Sequence, residues 1–138
     1  MRRVVVTGMG GLCGLGASWP HVLAGLRARH NAIRTMGEWD RYTDMNTKLA
    51  GPIEFTPPSH WTRKQLRSMG RVSQLAVRAA ELALTDAGLT GHPVIGSGAT
   101  GVACGSSTGS TPDIKDFANM VINNDTSGLN ANSYVRMM

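Results

Sequence analysis

The chain opens on Arg2-Arg3-Val4-Val5-Val6-Thr7-Gly8-Met9-Gly10-Gly11-Leu12-Cys13-Gly14-Leu15-Gly16, and no other stretch limits its possible folds as strongly. Three consecutive β-branched residues pattern as a strand buried on both faces. A glycine-rich turn follows, and then a helix. Strand, glycine turn and helix in that order start an α/β domain, and such turns often face a phosphate or a cofactor. A dinucleotide-binding fingerprint requires G-x-G-x-x-G with an acidic residue about 20 positions on. Gly8 and Gly10 fit, but the third glycine position is Cys13, and the first acid is Glu38, after Arg27, Arg29 and His30. Nicotinamide binding is therefore disfavoured, and the glycines are read as positions where tightly packed layers need a sharp turn.

The remaining chain patterns as further α/β structure. A helix is predicted from Ser18 to Ala28, with Ser18 at the N-cap, Pro20 in the first turn, and Trp19, Val22, Leu23 and Leu26 on the face that packs on the sheet. Residues 31 to 58 are irregular, punctuated by Gly37, Gly51, Pro52, Pro57 and Pro58, with Lys48 to Ile53 as a short edge strand. The strongest periodicity runs from Arg63 to Ala87 with a break near Gly70. There Met69, Val72, Leu75, Ala76, Ala79, Leu82 and Ala83 follow i, i+3, i+4, i+7 spacing. The alanines allow a neighbour to approach closely, and Gly88 stands at the C-cap. Thr100 to Gly105 reads as a second buried strand, leading into a turn over Ser106–Ser110. Pro112 opens a helix to about Ile122, and Asn123 to Asn132 is a polar loop. The end, Tyr134-Val135-Arg136-Met137-Met138, is apolar without a polar tail, the pattern expected of a truncated chain.

At 138 residues, with 41% hydrophobic and 17% charged residues, the chain is long enough for one globular domain with a core. No apolar run reaches the ~20 residues of a membrane helix, and Val4–Val6 is too short for a secretory signal. A cytoplasmic protein is expected. The two cysteines suggest neither a disulfide framework nor a zinc site. A net charge of +5 favours an acidic partner, but aromatic residues make up only 5% and do not alternate with the basic ones. A base-stacking nucleic-acid surface is not expected.

Five elements, in order and at matching intervals, resemble the elongating β-ketoacyl-(acyl carrier protein) synthases, condensing enzymes of fatty-acid and polyketide synthesis. They are Arg3 to Gly10; Asp40 with Thr47-Lys48-Leu49-Ala50-Gly51; Arg63-Lys64 with Arg67-Ser68-Met69; Ala83-Leu84-Thr85-Asp86-Ala87-Gly88-Leu89; and Gly101 to Gly109, a strand entering a G-S-x-x-G turn. The resemblance implies a layered, thiolase-like α/β fold. Residues 1–138 would be the first part of its N-terminal half, with no internal domain boundary. It also implies an acyltransferase. A cysteine takes an acyl chain from the carrier protein, malonyl-carrier protein decarboxylates, and the carbanion attacks the thioester, with two histidines holding the developing charge. No cofactor or metal is implied.

In the family that cysteine, both histidines and a lysine lie beyond the position of Met138. The chain alone is therefore expected to be inactive, and its own residues contribute no catalytic group. His21, His30, His60 and His92 are read as loop or surface histidines. Cys104 lies one element too early to be the nucleophile and is expected to be an inert core thiol; Cys13 is read in the same way.

Two features carry candidate function. Arg63, Lys64 and Arg67, with Arg71 beyond them, form a basic set. The resemblance implies that it docks an acidic acyl carrier protein; alternatively it is a solvated helix face. Thr108 stands where the family places a residue that reaches across the dimer interface and bounds the acyl pocket; alternatively Ser106–Ser110 is a plain tight turn. The partners implied are acyl carrier protein and a second copy of the full-length enzyme, with no nucleic acid and no membrane. The rival readings are a non-catalytic partner subunit of the chain-length-factor type and, less favoured, a dinucleotide-binding domain.

Overall fold

The structure, a computed structural model, describes residues 3–138. Arg2, the first residue of the glycine-rich opening, lies outside the described residues. The elements in order are α1 (Trp19–Arg27), β1 (Arg34–Thr35), a 3-10 turn (Gly37–Arg41), β2 (Leu49–Ala50), α2 (Arg63–Leu66), α3 (Arg71–Asp86), a second 3-10 turn (Pro93–Gly96), α4 (Thr111–Asn123) and α5 (Ser133–Met137). β1 and β2 form an antiparallel two-stranded ribbon in which Arg34 faces Ala50 and Thr35 faces Leu49.

α1, α3 and α4 follow the sequence signals closely, whereas α5 forms over residues for which no helix is predicted. α1 has Ser18 at the N-cap position and Pro20 in its first turn, although the Ser18 side chain makes no capping bond. α3 ends in a Schellman motif. Gly88 takes φ +68°, its N–H reaches the Thr85 carbonyl at 3.0 Å, and the Leu89 N–H reaches the Leu84 carbonyl at 2.8 Å. α4 ends where Asn124 turns left-handed at φ 55°, one residue past the predicted loop boundary at Asn123.

The predicted break at Gly70 separates α2 from α3, and its cause is packing. Gly70 has φ −71°, open to any residue. A Cβ there would strike the Arg136 carbonyl oxygen and the side chain of Ser110. Ser110 is 1% exposed and joins three helices. Its Oγ accepts the Val72 N–H at 3.1 Å, capping α3, whose own N-cap glycine has no side chain. Its N–H donates to the Met137 carbonyl at 2.8 Å, at the end of α5. An ion pair between Arg136 and the buried Asp113 closes the same junction.

The two predicted buried strands differ from expectation. Residues 3–8 and 100–105 run extended, but neither segment is in a strand, and among the described residues neither makes a backbone–backbone hydrogen bond. Val4 is 92% exposed and Val102 93%. A strand is defined by the neighbour that takes its N–H and C=O groups, and the described residues place none beside these two. Cys104 is consequently exposed and is not a core thiol, and Cys13 is exposed in its turn. For the same reason α1 has no sheet to pack on: Val22 and Leu23 are half-buried, while Trp19 and Leu26 remain exposed.

Unpaired extended segments carrying exposed valines invite pairing with another chain. The 138-residue chain is expected to self-associate. Its weight-average sedimentation coefficient should rise with concentration, and charged substitutions at Val5 and Val102 should reduce that rise. A single monomeric species across the whole concentration range would contradict this.

Candidate functional site

The glycine turn is used for packing against α3. A Cβ on Gly8 would lie 2.5 Å from the Ala83 carbonyl oxygen and from the Ala87 nitrogen. One on Gly10 would meet the backbone at Ala79 and Ala83 and the Leu82 Cβ. The small residues predicted on α3 are thus matched by glycines opposite them. Between the two glycines, the Met9 N–H donates to Asp86 Oδ2 at 2.9 Å. A carboxylate therefore occupies the place where a dinucleotide site would present a free N–H to a pyrophosphate, and it would repel one. Beside this contact lies an apolar groove of about 670 Å³, walled by Met9, Leu12, Trp19, Pro20, Val22 and Leu82.

The basic set is divided by the fold. Arg63 and Lys64 lie in α2, and Arg67 is its C-cap. Arg71 begins α3, and its guanidinium donates to the Ile53 carbonyl, so it holds the preceding loop in place. Arg63, Lys64 and Arg67 are exposed, and among the described residues none of the three enters an ion pair. α2 is one turn long, started by a capping box: Gln65 N–H donates to Thr62 Oγ1 at 3.3 Å and Thr62 N–H donates to Gln65 Oε1 at 2.8 Å. The sequence carries this signal as Thr62-x-x-Gln65, which hydrophobic periodicity does not detect.

Just before α2, Trp61 is 8% exposed, the only buried large apolar residue among those described. Its Nε1–H donates to Glu81 Oε1 at 2.6 Å. His60 Nε2 lies 3.1 Å from the same oxygen, and Arg78 donates to Oε2 at 3.0 Å. Partial burial opposes ionisation of Glu81, but the hydrogen bonds from Trp61, His60 and Arg78 outweigh it and hold the carboxyl below its ordinary value. A depressed carboxyl contributes stability above its unfolded value and loses it as pH falls through the folded one. The cluster therefore persists throughout the neutral range. Only the Arg78–Glu81 pair is local to one helix; Trp61 and His60 lie 20 and 21 residues from Glu81 on a different segment, so nothing in the sequence pattern announced the cluster.

Thr108 is exposed on the second turn. The turn is closed by the Gly109 N–H donating to Ser106 Oγ at 3.0 Å, with Gly109 at φ +65°. Its far end is anchored by Ser110. Thr108 and the basic residues are not joined by any hydrogen bond. Among the described residues, no three His, Cys, Asp or Glu side chains converge as a metal site would require, and no helix is long and apolar enough to cross a membrane.

Comparison with known proteins places this arrangement. The crystal structure of a β-ketoacyl synthase from Burkholderia phymatum superimposes over 100% of the chain with a TM-score of 0.94 at 49% identity. The chain covers 34% of that protein. A structure titled the ishigamide ketosynthase/chain length factor matches 99% of the chain with a TM-score of 0.71 at 28% identity. In sequence, 3-oxoacyl-[acyl-carrier-protein] synthase 1 of Haemophilus influenzae is 36% identical over 110 residues, 80% of this chain and 27% of that protein. Nodulation protein E of Rhizobium meliloti is 41% identical over 96 residues, 64% of this chain and 22% of that protein. The chain thus spans about a third or less of the length of these relatives. Its helices and extended segments follow the path of a layered, thiolase-like α/β fold. Residues 1–138 match the family model described as the β-ketoacyl synthase N-terminal domain, and the chain belongs to the β-ketoacyl synthase family.

Proposed function

We propose that these residues form the N-terminal portion, undivided, of a condensing enzyme that joins an acyl thioester to malonyl-carrier protein with loss of carbon dioxide. The observation that carries the reading is the match along the whole chain to a solved β-ketoacyl synthase at 49% identity. The chain spans only 34% of that synthase, and none of these 138 residues matches the nucleophile or histidines that the family resemblance implies, so the chemistry is assigned to a whole synthase rather than to this segment. Within it, Arg63, Lys64 and Arg67 dock an acidic acyl carrier protein. They are three exposed cations, two in a short capped helix and one at its C-cap, which among the described residues enter no ion pair; this suits an anionic helical surface. Thr108 bounds the acyl pocket across a homodimer interface, and its hydroxyl makes the mouth smaller and more polar than a large apolar side chain would. A cytoplasmic location fits this role.

The test uses the synthase polypeptide that contains this segment. Lys64→Glu with Arg67→Glu should raise KM for acyl-carrier protein about tenfold at low salt and less at high salt. It should leave turnover of small acyl thioesters nearly unchanged. Equal loss on both substrates would make the helix structural, and no loss on either would return these residues to a solvated face.

A second reading is supported by the match to the ketosynthase/chain length factor structure. Here the chain belongs to a non-catalytic subunit that pairs with an active synthase. A purified polypeptide that binds an active synthase but forms no acyl-enzyme with a radiolabelled acyl thioester would establish it.

A further inference from the structure

We propose that Glu81 is a positioning residue for carrier docking: by clamping Trp61 it sets the direction in which α2 presents Arg63, Lys64 and Arg67. The proposal rests on the docking role assigned above to those three residues.

A helix of four residues has no stability of its own and takes its direction from whatever holds its two ends. Its far end runs through Arg67, Ser68 and Met69 into Gly70, which is wedged against Ser110 and the Arg136 carbonyl. Its near end is Trp61, one residue before the Thr62 cap. The Trp61 ring is buried, with the Phe55 ring 6.2 Å away at a tilt of 58°. Burial alone leaves an indole free to rotate or slide within an apolar niche. The 2.6 Å bond to Glu81 Oε1 removes that freedom, since the indole has a single donor with a fixed direction. Glu81 sits well inside the 16-residue helix α3, a rigid base, and Arg78 one turn earlier holds its second oxygen. His60 adds a third donor from the same loop as Trp61. Thr62, the next residue, opens α2 through its capping box, so the backbone at Trp61 leads directly into the helix.

Charge alone and clamping predict opposite outcomes when Glu81 is removed. Loss of an acid near a basic docking surface strengthens attraction for an acidic partner and lowers KM. Loss of the clamp lets the three cations wander relative to the rest of the docking surface and raises KM. Alanine is the best helix former, so Glu81→Ala spares α3. Trp61→Phe keeps a buried ring and removes the single donor.

The experiment is steady-state kinetics on the synthase polypeptide containing this segment, with an acyl-carrier protein and with the matching acyl-N-acetylcysteamine thioester. Glu81→Ala and Trp61→Phe are each expected to raise KM for acyl-carrier protein at least threefold with kcat unchanged. Turnover of the small thioester should stay within twofold of the parent, which also reports that each variant is folded. An unchanged or lowered KM in Glu81→Ala, with the Lys64→Glu, Arg67→Glu pair still impaired, would overturn the clamp and leave the docking role standing. Parallel losses on both substrates would overturn it in favour of a purely structural cluster. An unimpaired charge-reversal pair would remove the docking role and the clamp's function with it.

Discussion

Alanine at Gly10 should destabilise the protein severely, while alanine at the adjacent Gly11 should leave it intact. The methyl group at Gly10 would be driven into the backbone of α3 at Ala79 and Ala83 and against the Leu82 Cβ. Backbone atoms inside a helix cannot swing away as the tip of a long side chain can. The whole turn must lift off α3, and the Met9 N–H must then leave Asp86. Overpacking of this kind costs about 3 kcal/mol, and the lost hydrogen bond adds roughly 1 kcal/mol. Gly11 has no atom within 4 Å of the added methyl and no left-handed backbone angle. Alanine there should stay within about 0.5 kcal/mol. Thermal unfolding followed by circular dichroism should show a midpoint lower by roughly 14 °C in Gly10→Ala and unchanged in Gly11→Ala. Equal midpoints would mean that the turn does not seat on α3 as described.

The second large effect is expected at Gly70. Alanine would find its preferred backbone angles at φ −71°, and would even restrict the unfolded chain usefully. The cost is therefore wholly steric, and it falls on a junction of three helices. To make room for a methyl group, either α5 must withdraw its Arg136 carbonyl or Ser110 must move. Moving Ser110 uncaps α3 at Val72 and breaks its bond to Met137. Moving α5 breaks the Arg136–Asp113 pair and leaves a buried carboxylate unpaired. A loss of about 3 kcal/mol is expected. Amide exchange at Val72 and Ser110 should accelerate at least tenfold, while the Schellman turn at Gly88 and Leu89 keeps its protection. Undisturbed protection at Val72 would show that α5 accommodates the methyl group, and the junction would not be tight.

Local signals in the chain were enough to find α1, α3 and α4, but not the short α5. Pro20, Gly88 and the alanine-rich period of α3 are decided by interactions within a few residues. Backbone geometry and periodicity therefore mark them without knowledge of the fold. The order of short motifs, from the opening Val-Thr-Gly turn to Gly105-Ser106, was enough to identify the β-ketoacyl synthase family. The basic residues before Gly70 were legible as a cluster because they are close in sequence.

What only the tertiary structure decided is everything whose partner lies far along the chain. The valine runs at Val4–Val6 and Thr100–Gly105 read as buried strands, because the pattern reports what a segment can do when paired. Without a neighbour, Val4, Val102 and Cys104 stand in solvent. Gly70 was visible as a break, but its cause is Arg136, 66 positions away by residue number. Arg71 looked like a member of the basic set until the fold turned it toward Ile53. The Trp61–Glu81 bond spans 20 residues between a loop and a helix. Periodicity and capping are properties of single elements, so the sequence determines them directly. The side chains that meet across elements depend on how those elements dock, and that is settled by packing at contacts such as Gly8 and Gly10 on α3, where only the absence of a side chain lets the two backbones touch.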